Sequence, residues 1–174
     1  MKPALKCLVL FVIMSSLVFS GCKYGRPAGK SGPGESQTVA MADIAFVDME
    51  GKKVALSLLA KDKPIYLTFF ASWCKSCSRE VKDVNRIFHE YSVQGLAVYG
   101  VNVGDSKKIL NSFISKFGID YPVLSDPDGK TCTEKLNLMG LPLNLVFDRN
   151  GKLIYREVVP PGAAVLKMAL EANK

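Results

Sequence analysis

The residues best suited to chemistry are two cysteines in the run Trp73-Cys74-Lys75-Ser76-Cys77. They follow a mostly apolar run rich in β-forming residues and open a segment whose apolar residues recur every three or four positions. Cys74 is therefore predicted at a helix N-terminus, where free backbone N–H groups and the helix dipole favour a thiolate. Cys77 lies one turn further on and can reach back to the Cys74 sulfur, so the pair suits thiol–disulfide exchange.

A cysteine pair of this spacing has two other uses, as half of a zinc site or as a purely structural disulfide. For zinc, the nearest further ligands are Cys132 and His89, and His89 follows too far along the same predicted helix to share a metal with Cys77. A structural bridge over so short a loop stabilises little through chain entropy. The pattern favours redox chemistry, with no metal and no cofactor beyond the Cys74–Cys77 disulfide.

The composition of the chain excludes several other classes of function. The chain has 174 residues, a formal charge of +7, five cysteines and one histidine. This length predicts one domain with a substantial core, and a single histidine excludes a helix with two zinc-binding histidines. Lysine and arginine are spread along the chain without a long run, so no nucleic-acid partner is expected. Five cysteines cannot all pair with one another.

The N-terminal segment is predicted to be an export signal. Residues 1–22 read MKPALKCLVLFVIMSSLVFSGC, with a charged start and an uncharged apolar stretch too short to span a membrane stably. The ending at Cys22 resembles the lipobox of bacterial lipoproteins, which implies a signal peptide over 1–21 and a lipid on the Cys22 sulfur. Phe19 stands where the lipobox usually has an aliphatic residue, so an uncleaved anchor and ordinary cleavage elsewhere are the alternatives.

Residues 22–40 are rich in glycine, proline and serine, which predicts a flexible tether between a membrane and a domain over 41–174. The expected location is the bacterial cell envelope, with the protein lipid-anchored and facing the periplasm or another extracytoplasmic side. Disulfides are permitted in such a compartment.

The domain is predicted to alternate strands and helices. An α/β three-layer sandwich follows, in which helices flank a mixed central sheet that has an N-terminal β-hairpin. The apolar stripe of the first helix is expected at Cys77, Val81, Val84, Phe88 and Tyr91, and that of the last helix at Val165, Met168 and Leu170. The predicted elements are a hairpin around 48–52, strands at 64–71, 96–101, 121–124, 143–147 and 152–156, and helices at 77–91, 106–117, 131–138 and 162–172.

The run from Phe69 to Cys77 resembles the active-site run of thioredoxin-fold proteins. The wider pattern is similar to the TlpA/ResA-like redoxin group, the membrane-tethered, extracytoplasmic thiol–disulfide oxidoreductases that serve cytochrome c maturation. Two further features carry this resemblance. Glu80 stands where the group often has a glutamate, and Gly140-Leu141-Pro142-Leu143 precedes a predicted strand as the group's cis-proline loop does.

The resemblance implies a role for each matching residue. Cys74 attacks a substrate disulfide and Cys77 resolves the mixed disulfide. Pro142 is cis and, with Leu141 and Trp73, holds the substrate chain beside the sulfurs. No catalytic metal is implied.

Glu80 has two interpretations. A partly buried carboxyl there has a raised pKa and exchanges a proton with the resolving thiol. Alternatively, Glu80 is an acid in the first helical turn that stabilises the helix dipole. The chain also departs from thioredoxin, which has an aspartate at the place of Thr68, and Ser76 replaces the usual proline before the second cysteine.

The implied partners are protein thiols and disulfides, typically the haem-binding cysteines of apocytochrome c, and a membrane redox partner that recharges the dithiol. The domain is expected to be a monomer. Two alternatives on the same fold are a copper-delivery module, which typically needs one more residue between its cysteines and a distal histidine, and a thiol peroxidase, which has a lone cysteine after Pro-x-x-x-Thr. Cys132 is predicted to be a buried thiol, with a third redox cysteine as the alternative, and His89 a solvated helix residue.

Overall fold

A computed structural model of the protein describes residues 41–172. The predicted signal peptide, the tether and Cys22 lie outside the described residues. Within the described part, seven strands form one sheet, and four helices and three short helical turns connect them.

The sheet is mixed, as the sequence predicts. Along the chain the strands are β1 (Ala45–Val47), β2 (Lys53–Ala55), β3 (Ile65–Phe70), β4 (Ala97–Val103), β5 (Val123–Asp126), β6 (Leu143–Phe147) and β7 (Leu153–Glu157). Their order across the sheet is β2-β1-β5-β4-β3-β6-β7. The three central strands β3, β4 and β5 run parallel, and each remaining strand is antiparallel to its neighbour, so β1 and β2 form the predicted hairpin.

Helices cover both faces of the sheet. They are α1 (Leu56–Ala60), α2 (Lys75–Tyr91), α3 (Lys107–Phe117) and α4 (Ala163–Glu171), with short turns at Met41–Asp43, Ser92–Gln94 and Thr131–Lys135. All six residues of β3 are buried, and they alternate between two hydrophobic clusters, Tyr66 and Phe70 in one and Ile65, Leu67 and Phe69 in the other. The first cluster also contains the buried residues of α2, α3 and α4, and the second contains Leu56 and Ala60 of α1. Helices thus lie on both sides of the sheet, which confirms the three-layer sandwich.

Two predicted helix faces are wrong in detail. On α2, Ile87 is buried and Phe88 only partly so. On α4 the buried residues are Leu166, Ala169 and Leu170, whereas Met168 is 51% exposed. Apolar residues occur on several sides of these short helices, so their spacing alone does not determine which side meets the sheet. The five-residue helix α1 was not predicted, because so short a helix leaves no periodic signal.

Candidate active site

Cys74 caps the N-terminus of α2, which begins at Lys75, two residues before the predicted start at Cys77. Its backbone is extended, and its sulfur accepts a hydrogen bond from the Cys77 N–H at 3.2 Å. The Ser76 hydroxyl lies 3.5 Å from the same sulfur. Cys74 and Cys77 are joined in a disulfide. Once that bond is opened, the same donors stabilise a thiolate on Cys74.

The two sulfurs are enclosed, whereas the residue before them is not. Cys74 and Cys77 are each 4% exposed, and Trp73 is 72% exposed. A partner therefore meets a large apolar side chain next to a small reactive surface. The exposure of Trp73 leaves its side chain free for the substrate contact predicted for it.

The loop before β6 lies at the same end of the sheet as the cysteines. Leu143 pairs with Phe69 in the antiparallel register of β6 and β3, so Pro142 and the Cys74 turn both extend from that end. The peptide bond between Leu141 and Pro142 is cis, as predicted. Leu141 packs against the cluster that contains both cysteines. An open cleft of about 520 Å³ runs beside this loop towards β7.

Glu80 lies one turn after Cys77 and is half-buried. Its carboxylate accepts a hydrogen bond from the side-chain amide of Asn144 on β6, at 3.3 Å. Burial raises the pKa of Glu80, the Asn144 hydrogen bond partly opposes that rise, and the nearby charge of Asp83 adds to it. The raised pKa of Glu80 is what the sequence predicts for a partly buried carboxyl. The alternative of a first-turn acid is wrong, because α2 begins at Lys75 and its first turn holds no acidic residue.

A second carboxylate holds the segment before the cysteines. Asp105, on the loop after β4, is buried and accepts hydrogen bonds from the Ser72 backbone N–H at 2.7 Å and the Ser72 hydroxyl at 2.6 Å. The Asn102 amide donates a third, at 2.7 Å. Sequence reasoning missed Asp105 and Asn144. Asn144 is a polar residue inside an apolar strand, and Asp105 follows the end of one. Such a position suggests a buried hydrogen bond, but the partner cannot be named until the neighbouring strands are known.

The remaining candidates lie away from this chemistry. Cys132 is a free thiol with no exposed surface, in the cluster on the opposite face from the disulfide. Burial, together with Asp126, raises the pKa of its thiol, so it does not suit a redox role and the predicted buried state is confirmed. His89 is exposed, as predicted, and lies 2.9 Å from the Asp120 carboxylate.

Neither a metal-ligand cluster nor a membrane-spanning helix occurs between residues 41 and 172. That part of the chain contains no group of three or more histidine, cysteine or acidic side chains arranged to hold a metal ion. None of its helices is long and apolar enough to cross a membrane.

The mixed sheet, the disulfide at a helix start and the neighbouring cis-proline loop define a thioredoxin-fold disulfide protein. The chain belongs to the AhpC/TSA family, which matches residues 38–156.

Similar proteins agree with this class. Thiol-disulfide oxidoreductase ResA of Geobacillus thermodenitrificans is 32% identical over 114 residues, which cover 64% of this chain and 63% of that protein. The protein of the same name from Bacillus subtilis is 29% identical over 112 residues, which cover 64% of this chain and 62% of its own. The chain thus spans a little under two thirds of the length of these relatives.

Solved structures show the same fold. A putative thiol:disulfide interchange protein DsbE from Chlorobium tepidum superposes with a TM-score of 0.64 at 28% identity, over 76% of this chain and 93% of its own. A secreted thiol-disulfide isomerase from Corynebacterium glutamicum superposes with a TM-score of 0.63 at 26% identity, over 75% of this chain and 83% of its own. These likenesses confirm the thioredoxin-like fold and the family resemblance predicted from the cysteine run.

Proposed function

We propose that the protein is an extracytoplasmic thiol–disulfide oxidoreductase that reduces disulfides in other proteins. The observation that carries this proposal is the Cys74–Cys77 disulfide at the start of α2, at the same end of the sheet as the cis-Pro142 loop. The names of the relatives support the same chemistry.

The reaction uses the two cysteines in turn. In the reduced protein, the Cys74 thiolate attacks one sulfur of a substrate disulfide, forms a mixed disulfide and expels the other substrate sulfur as a thiolate. Cys77 then loses its proton and attacks the Cys74 sulfur, which releases the second substrate thiolate and closes the Cys74–Cys77 disulfide. Two electrons pass from the dithiol to the substrate, and the reaction needs no other cofactor.

Glu80 is the proposed acceptor of the Cys77 proton. It lies one turn from Cys77, and a carboxyl with a raised pKa exchanges protons with a thiol more readily than an ordinary surface carboxylate does. The half-buried site also limits competition from water.

Partners and location follow from the family resemblance and the N-terminal sequence. The proposed substrates are protein disulfides, with the haem-binding cysteines of apocytochrome c as the case typical of the redoxin group. A membrane redox partner restores the dithiol, and a lipid on Cys22 holds the monomeric domain at the membrane of the bacterial envelope. Trp73, Leu141 and Pro142 contact the substrate chain.

The direct test is reduction of insulin disulfides by the purified domain with a chemical reductant. Cys74→Ala is expected to remove the activity, whereas Cys132→Ala, which replaces the buried thiol on the other face, is expected to retain it. Full activity in Cys74→Ala contradicts the proposal. The reduction potential then separates the directions of electron flow, since about −270 mV is typical of thioredoxin and about −120 mV of a strong oxidant.

A further inference from the structure

A chain of three side chains connects the sheet to Glu80. The Tyr66 hydroxyl on β3 donates to Oδ1 of Asn144 on β6 at 2.7 Å, and Nδ2 of Asn144 donates to Oε2 of Glu80 on α2 at 3.3 Å. Tyr66 and Asn144 have no exposed surface. Buried polar side chains cost stability unless they are paired, and here the pairing ends at a proposed proton acceptor.

The orientation of the Asn144 amide determines whether it stabilises or repels the Glu80 carboxylate. An asparagine amide offers an acceptor on one side and donors on the other, and its hydrogen-bond partners decide which side faces which neighbour. The Tyr66 hydroxyl stays protonated because burial raises its pKa, so it remains a donor to the amide oxygen. That leaves the NH₂ group for Glu80. In the reversed orientation, the amide oxygen would face the carboxylate and repel its charge.

We propose that Tyr66 and Asn144 are positioning residues for Glu80. Tyr66 locks the Asn144 amide with its NH₂ group towards the carboxyl, and Asn144 thereby stabilises the ionised form of Glu80. The inference rests on the proposed function for its biological meaning, but the coupling itself is a property of the protein without substrate.

The surroundings of Glu80 make this single donor important. The charged group that raises the pKa of Glu80 is Asp83 on α2. Three tyrosines face the carboxylate, Tyr66 on β3, Tyr121 before β5 and Tyr155 on β7; the Glu80 charge raises the pKa of each, and they are uncharged where a carboxyl titrates. Burial and Asp83 both disfavour the carboxylate, and the Asn144 amide opposes them. Within the described residues no cation contributes to that balance, and the Asn144 amide is the contact that lowers the pKa of Glu80.

The first test measures the titration of Glu80 in the oxidised protein, whose joined cysteines do not titrate. Carboxyl-carbon NMR on protein with ¹³C-labelled glutamate follows it directly. Asn144→Ala is expected to raise the titration midpoint by about one pH unit, the size expected for loss of a hydrogen bond to a charged group. Tyr66→Phe, which removes one oxygen and frees the amide to turn, is expected to raise it by less. Unchanged midpoints in both variants overturn the proposal.

Tyr99→Phe is the matched control. Tyr99 is a tyrosine of β4 that packs on the opposite cluster, and Glu80 does not contribute to its pKa. Its replacement is expected to leave the Glu80 midpoint where it is, and an equal shift in this variant overturns the proposed coupling. Should Asn144→Ala fail to fold, Tyr66→Phe and Tyr99→Phe still give the comparison.

The second test asks whether the two residues act through Glu80. The pH profile of thiol reactivity in the reduced protein is measured for Asn144→Ala, for Glu80→Gln and for the double variant. Asn144→Ala is expected to shift the profile in the presence of Glu80 and to have no further effect on its pH dependence in Glu80→Gln. An equal shift in both backgrounds overturns the proposal. Loss of the proposed function would appear instead as insulin reduction that survives Cys74→Ala, with the NMR midpoints unaffected.

Discussion

At the scale of single residues, the Cys74 sulfur has two tasks. It accepts the Cys77 N–H at the start of α2, a task that serine, threonine, asparagine or aspartate performs in most helices, and it is also the proposed reacting atom. A negatively charged sulfur is the better acceptor and gains from the helix dipole. Helix formation and thiol activation therefore favour the same ionised state.

Glu80 is expected to make stability depend on pH. Its pKa is raised in the folded protein, so the folded state binds the proton more tightly than the unfolded state. The protonated carboxyl therefore contributes stability that is fully present below the ordinary pKa of glutamate and is lost as the pH rises through the folded-state pKa. Glu80→Gln, which stays neutral, is expected to raise the unfolding temperature at pH 7 and to have a smaller effect at pH 4.

Thermal unfolding of the two oxidised proteins across this pH range checks that expectation. Glu90→Gln, on the exposed face of the same helix, is the control for removing one acidic charge from α2. A stabilisation by Glu80→Gln that grows as the pH falls would contradict the raised pKa.

The candidate reactive residues could be named from the sequence, but the residues that hold them in place could not. Cys74, Cys77 and Pro142 lie in short motifs whose meaning is local. Asn144 lies 64 positions from Glu80 and 78 from Tyr66 in the chain, so only the pairing of β6 with β3 brings the three together.

At the scale of elements, the end of β4 supports the cysteine turn. Strands β3 and β4 run parallel and finish at the same end of the sheet. There the Asp105 carboxylate accepts hydrogen bonds from both the backbone N–H and the hydroxyl of Ser72. The reactive turn is thus attached to a neighbouring strand as well as to its own helix. This arrangement limits the motion of the residues that precede Cys74.

Asp105→Ala is expected to loosen this attachment. The change removes the acceptor for three hydrogen bonds, and we expect a loss of about 2 kcal/mol in the free energy of unfolding, since water replaces part of the pairing. Denaturant unfolding measures the loss, and amide hydrogen exchange at Ser72 locates it. Asp105→Asn keeps one acceptor oxygen, so its free energy of unfolding is expected to lie between those of Asp105→Ala and the native protein. Unchanged exchange at Ser72 in Asp105→Ala would show that Asp105 does not hold the turn.

Element positions were easier to predict than element contacts. Ser106 and Gly118 bound α3 as the local signals indicate, since Ser106 accepts the Ile109 N–H and Gly118 takes the left-handed conformation. The buried side of α4 was not predictable, because the face that meets the sheet depends on where β6 and β7 lie.

At the scale of the whole molecule, the class of fold followed from the alternation of strands and helices. The order of the strands did not, because periodicity within a segment carries no information about which segments become neighbours. The resemblance of the cysteine run indicated the family, which the match over residues 38–156 confirms, and the structure supplied the strand order.

The lipid on Cys22 is a prediction that concerns the full-length protein in a bacterial cell. Expressed in a bacterial host with radiolabelled palmitate, the full-length protein is expected to take up label and to fractionate with membranes, and Cys22→Ser is expected to lose the label. Cys7→Ser, which alters the other N-terminal cysteine inside the predicted signal peptide, is the matched control and should keep it. Label that persists in Cys22→Ser would place the modification elsewhere.

The outer strands of the sheet affect how the protein behaves when it is crowded. β2 has only three residues and exposes Lys53. β7 exposes Arg156 and Glu157, and its register with β6 is irregular between Val146 and Phe147. Short, charged and irregular edges resist pairing with a strand from another molecule. These features disfavour edge-to-edge aggregation, and we expect copies held close together to remain separate rather than join into larger sheets.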